Sequence, residues 1–206
     1  MNKHPLGELI ANAISHGIGV LLSVSALIVL IYNAHDTNTL VGTLIFSISL
    51  ILLYLSSTLY HSFPPSMKRV IAVFQRLDHS AIYILIAGTY TPFVIILLPT
   101  RAGYTLLTVL WLIALIGITL KSIWVTKYHV LHLIMYLLMG WSIVAIWPNV
   151  YEVIPQSALY FLIIGGVSYT AGVVFYINRF KYAHFIWHLF VLSGSIFHFL
   201  AIYNLL

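Results

Sequence analysis

The sequence contains no cysteine, which rules out a disulfide framework and any thiolate-ligated metal. Acidic residues are nearly as scarce: there are four Asp+Glu against nine Lys+Arg, and charged residues of all kinds make up 6% of the chain. A water-soluble domain carries about a quarter charged residues to cover its surface, so a soluble globular fold is excluded. The N-terminus lacks the basic-then-apolar pattern with a small-residue cleavage site that marks a removable signal, and the first apolar run is expected to stay as an anchor. No stretch is long enough to act as a linker between domains, and no clear internal repeat is present.

Apolar sequence fills that space. Of the 206 residues 62% are hydrophobic, and the mean hydropathy is +1.05. Seven runs are long enough to cross a hydrocarbon core about 30 Å thick: 17–34, 40–61, 79–98, 103–121, 129–147, 157–177 and 184–204. The joints between them carry turn chemistry, as in Ser62-Phe63-Pro64-Pro65-Ser66 and Pro148 to Gln156. The chain is therefore expected to be all-α, a multi-pass membrane protein folded as one seven-helix bundle over 1–206, with a short cytoplasmic segment, 1–16, before the first span.

Orientation follows from the basic residues. With the N-terminus in the cytoplasm, the inside segments hold Lys3, Lys68, Arg69, Arg76, Lys121, Lys127, Arg179 and Lys181, and the outside segments hold Arg101 alone. Eight of nine on one side is a positive-inside pattern, and seven spans then put the C-terminus outside, the reverse of G-protein-coupled receptors. The net charge of +5 is accounted for by basic residues flanking helices that face an anionic leaflet. No nucleic-acid partner is expected. The expected surroundings are membrane lipids, in the cell membrane; the pattern says nothing of oligomeric state.

Histidine is the anomaly, with ten in the chain. His184 and His188, at i and i+4, share one helical face, a spacing that suits either two imidazoles on one metal or two hydrogen-bonded packing residues. Threading the chain brings other polar groups to their depth. His61 ends span two with Ser57 one turn deeper, Asp78 opens span three, and His184 and His188 open span seven. Three imidazoles would leave a fourth position of a zinc ion open, the pattern of a catalytic site, with Asp78 binding or orienting water or holding an imidazole. The plainer alternative pairs Asp78 with Arg76 or Lys68 and leaves His61 as a helix cap.

Three patches carry a family resemblance: Glu8-x-x-x-Asn12-x-x-Ser15-His16, Ser57-x-x-x-His61 through Asp78-His79, and His184-x-x-x-His188. Together with the seven spans they resemble the hemolysin III family, the bacterial branch of the progestin and adipoQ receptor superfamily, which includes the adiponectin receptors and is distantly similar to alkaline ceramidases. The resemblance implies an intramembrane zinc on His61, His184 and His188, with Ser57 and Asp78 close to the reacting water. It also implies a possible zinc-dependent hydrolase of a lipid amide or ester that influences membrane homeostasis.

Other polar residues rank lower. Glu8, Asn12, Ser15 and His16 fall near one helical face, either supporting the metal site or lining an interfacial helix. His129 and His132 are rival ligands at the same depth, although Lys127 and Tyr128 point to a solvated location. His79 is expected to pack elsewhere, His198 to lie too far along its helix, and His4 and His35 to be exposed. Tyrosines and tryptophans read as interfacial belts or packing, and Gly140, Gly165, Gly166 and Gly172 as close-packing positions. Against the hydrolase stand two other classes. One is a regulator or receptor in which zinc only ties helices together. The other is a cytolytic pore, disfavoured by the few charges in the spans.

Overall fold

A computed structural model describes residues 6–206; the expectations for Lys3 and His4 lie outside the described residues. Its helices are α1 (Leu6–Asn33), α2 (Thr37–Ser62), α3 (Lys68–Pro92), α4 (Arg101–Ile123), α5 (His129–Gly140), α6 (Trp147–Tyr151), α7 (Gln156–Ile177) and α8 (Ala183–Tyr203). Among the described residues seven helical stretches are long and apolar enough to cross a membrane, α5 and α6 jointly forming the fifth. The chain is an all-α, multi-pass membrane protein.

The expected start of the first span is corrected. Helix α1 begins at Leu6, not near residue 17, and takes in the polar patch. Glu8, Asn12, Ser15 and His16 recur at helical spacing and are buried, while Ile10, Ile14 and Ile18 face outward. An inward polar stripe breaks the apolar run in sequence without breaking the helix, because lipid needs only the outer face to be apolar.

The turn into α2 is set by a capping box. The Asp36 carboxylate accepts from the Thr39 amide at 2.7 Å, and the Thr39 hydroxyl accepts from the Asp36 amide at 3.1 Å. Those bonds from Thr39 hold the Asp36 carboxyl below its ordinary pKa. The fifth span is broken by a short 3-10 stretch, Ser142–Ile146, ahead of Pro148. Tyr90 repairs the break: its hydroxyl donates to the Gly140 carbonyl at 2.8 Å and accepts from the Ile143 amide at 2.9 Å. A bilayer core supplies no water to do this.

Helix α1 packs on both α2 and α8, α2 on α3, α3 on α4 and α5, and α7 on α8. Small residues permit two of the close approaches. A methyl group at Gly165 would collide with the His198 ring, and one at Gly172 with Trp187 and Phe190. Gly140 differs from expectation, since nothing lies within 4 Å of the space its side chain would take.

Candidate metal centre

His61 projects from the last turn of α2, and His184 and His188 from the first two turns of α8. All three offer ligand atoms within 4.8 Å of one another. The ring centroids lie 5.2 Å (61–184), 5.0 Å (61–188) and 4.6 Å (184–188) apart. His61 and His188 are buried and His184 is half-buried. A second polar contact joins the same two helices deeper in the bundle, where the Tyr54 hydroxyl donates to Ser195 Oγ at 2.6 Å.

Helix α1 determines which nitrogen of His188 is available. Its Nδ1 lies 3.2 Å from the Ser15 hydroxyl and 3.3 Å from the Asn12 carbonyl. The Ser15 hydroxyl already donates its hydrogen to that carbonyl at 2.9 Å. Both partners can therefore only accept, so Nδ1 carries the hydrogen and Nε2 keeps its lone pair. An acceptor on the second ring nitrogen is the arrangement that orients an imidazole able to bind a metal. His16, also from α1, stacks on the face of the His188 ring, and the rings of His16 and Tyr54 meet nearly at right angles with centroids 5.0 Å apart.

The donor set fits a metal ion. Two nitrogens on one tetrahedral zinc stand about 3.3 Å apart, given a Zn–N length of about 2.0–2.1 Å, so the cluster closes on the ion with a contraction of up to about 1.5 Å, within the reach of side-chain rotation. Imidazole as the donor suits zinc and the later first-row metals.

Asp78 lies outside the three-histidine cluster. Its carboxylate neighbours the Ser57 hydroxyl without a hydrogen bond of good geometry, and its charge reaches Tyr60, Tyr136 and Tyr176. Arg76 is turned away from it, donating to the carbonyls of Ala72 and Ser122.

The rival ligands are elsewhere. His132 is fully buried, contrary to a solvated position, because its Nδ1 shares a 2.6 Å hydrogen bond with the Tyr83 hydroxyl. His129 stacks on Tyr176 with centroids 5.1 Å apart. His198 packs beside Tyr169 with Nε2 at 3.3 Å from the Leu162 carbonyl, and His35 is exposed. Of the two alternatives for the 8–12–15–16 stripe, His16 and Ser15 take the one beside the histidine cluster, against His188. The three tyrosines within electrostatic reach of Asp78 had no signal in the sequence, since they sit on three different helices.

A seven-span bundle with a largely buried histidine triad at one end of its helices defines a class of integral membrane protein. Comparison with known proteins narrows it. Residues 8–199 match the family described as Haemolysin-III related, and the chain belongs to that family. It is similar to the Hemolysin-3 homolog of Bacillus subtilis (strain 168), with 44% identity over 91% of this chain and 89% of that protein. Hemolysin-3 of Bacillus cereus is 43% identical over 91% and 87%. The human Monocyte to macrophage differentiation factor is 28% identical over 95% of this chain and 83% of its own length.

Proposed function

We propose that His61, His184 and His188 hold a zinc ion and that the protein is a hydrolase acting on the amide or ester carbonyl of a membrane lipid. One observation carries the lipid part of this reading. A cavity of about 160 Å³, walled by α3, α5, α7 and α8, reaches Tyr176 and Trp187 at one end and Trp147 and His198 toward the other. Trp187 lies between the two histidines of α8, and the Tyr176 ring is 6.2 Å from that of His184. From Trp187 to His198 the helix rises roughly 16 Å, a depth suited to an acyl chain. Its walls are almost entirely apolar, so the chain binds by burial of hydrocarbon and the carbonyl is left at the polar end.

Zinc at the triad supplies a Lewis acid for the carbonyl and lowers the pKa of water toward neutrality. Asp78 takes a proton from the attacking water and returns it to the leaving amine or alcohol as the carbonyl carbon parts from it. Ser57, beside Asp78, holds the carboxylate by one hydrogen bond when the site tightens. The Asn12 carbonyl and Ser15 keep His188 in the tautomer that presents Nε2.

The same reading sets the N-terminus in the cytoplasm and the triad at the inner leaflet, on the strength of the eight-to-one basic distribution. The test is incubation of wild type and Asp78→Asn with a panel of ceramides and phospholipids, with fatty acid release followed by mass spectrometry. Release by wild type alone is expected. Equal release by both, or none by wild type, overturns the hydrolase and favours a zinc that only ties α2 to α8.

A further inference from the structure

A buried cation stands apart from the triad with no acid beside it. Lys121, in the last turn of α4, is 1% exposed, and among the described residues its ammonium makes one hydrogen bond, at 3.2 Å to the Val125 carbonyl. Helix α4 packs on α3 with Gly117 directly against the Tyr83 ring. Lys121 is one turn beyond Gly117 on α4 and His79 one turn before Tyr83 on the antiparallel α3, so the two lie at the same end of that contact. His132, in the first turn of α5, joins the same level through Tyr83. Its Nδ1 is engaged by Tyr83, while its buried Nε2 has no partner, and neither has the buried Nδ1 of His79.

The chain has four acidic residues, and none answers this group. Asp36 caps α2 at the opposite end of the bundle, Glu152 follows α6 at that same end, Glu8 lies on α1, and Asp78 neighbours Ser57. Lysines within membrane spans are rare, are almost always paired, and mark functional positions. One carbonyl does not compensate a buried ammonium. Each open imidazole nitrogen donates to a ligand in the tautomer that places the ring hydrogen on it, and the ammonium repels a metal cation.

We propose that Lys121, His132 and His79 bind a phosphate group carried by a phospholipid of the leaflet on the triad's side of the membrane. A tetrahedral phosphate has enough oxygens to meet an ammonium and two imidazoles together. Lys121 ends its helix at headgroup level, and Arg76, bonded to the Ser122 carbonyl at 2.9 Å, adds positive charge there. An apolar groove of about 240 Å³ between α4 and α5, lined by Leu110, Ile113, Met135 and Met139, offers a bed for an acyl chain. It joins the polar group at Met135, whose sulfur lies 3.5 Å from the Tyr83 hydroxyl. The phosphate takes the place of the Val125 carbonyl on Lys121, which displaces the turn 124–128.

The full-length chain, purified in a neutral detergent, is melted with increasing phosphatidylglycerol, with diacylglycerol at the same molar fractions, and with sodium phosphate against sodium chloride at matched ionic strength. The wild-type melting temperature should climb with phosphatidylglycerol and not with diacylglycerol. Lys121→Met and His132→Phe should lose the climb while keeping the wild-type metal content, which separates this site from the triad. A climb with sodium phosphate as well assigns recognition to the phosphate itself, and a climb with phosphate alone overturns the lipid origin. No climb in wild type, or an equal one in Lys121→Met, overturns the site. Should Lys121→Met fail to fold, the phospholipid phosphorus retained per chain after detergent washing decides between wild type and His132→Phe. Equal retention by the two overturns the proposal.

Discussion

The ring of His16 lies flat on the ring of His188, with centroids 3.5 Å apart and planes 9° from parallel. A residue of the first helix thus braces a candidate ligand of the last, and with Ser15 and the Asn12 carbonyl it encloses His188 from the α1 side. Removing the brace frees the imidazole to rotate. His16→Ala is expected to weaken zinc affinity by about tenfold, the lower range for outer-shell losses. His16→Phe, which keeps a flat ring, should restore most of it. Titration against a chelator of known affinity measures both.

The triad itself makes the sharper demand. Purified protein should carry about one zinc per chain, the count for a single three-imidazole site. Any one of His61→Ala, His184→Ala and His188→Ala should remove most of it. Full occupancy in the His184→Ala, His188→Ala double variant, measured by elemental analysis, would exclude the assignment.

Asp78 and Ser57 should differ in kind. Asp78→Asn removes the base and should lower turnover by about 10²–10⁴-fold with metal content kept. Ser57→Ala removes only the hydrogen bond proposed to form as the site tightens, net about 1 kcal/mol, and should cost roughly fivefold. If zinc is only structural, His61→Ala lowers the melting temperature sharply while Asp78→Asn leaves it unchanged.

Filling the acyl cavity should separate binding from chemistry. Val173 lines it on α7, a helix that contributes none of the three histidines. Val173→Trp is expected to suppress hydrolysis of long-chain lipid amides far more than short-chain ones, with zinc content unchanged. Equal loss for both chain lengths, read from kcat/KM, would show that the cavity is not where the chain lies.

Topology can be tested without any substrate. A reporter fused after Leu206 should be active when it is of the kind that works outside the cytoplasm. Activity of a cytoplasm-only reporter at that position would reverse the orientation and move the triad to the outer leaflet.

Helix number, membrane embedding and the depth of His61, Asp78, His184 and His188 were legible in the sequence, because each follows from a one-dimensional rule: apolar length, 1.5 Å rise per residue and the alternating direction of successive spans. The spacing of His184 and His188 already placed them on one face. Rotation of each helix about its own axis obeys no such rule in a bundle whose outer and inner faces are both apolar. Packing decided that His61 turns toward α8 and that Asp78 stays outside the cluster. Packing also directed His132 to Tyr83 and brought Tyr60, Tyr136 and Tyr176, from three helices, within electrostatic reach of one carboxylate. The polar stripe of α1 shows the boundary between the two. Its periodicity was written in residues 8–16, but that it belonged to a spanning helix and held the ring of His188 required α2 and α8 to be in place, since a buried imidazole is oriented only by the groups that surround it.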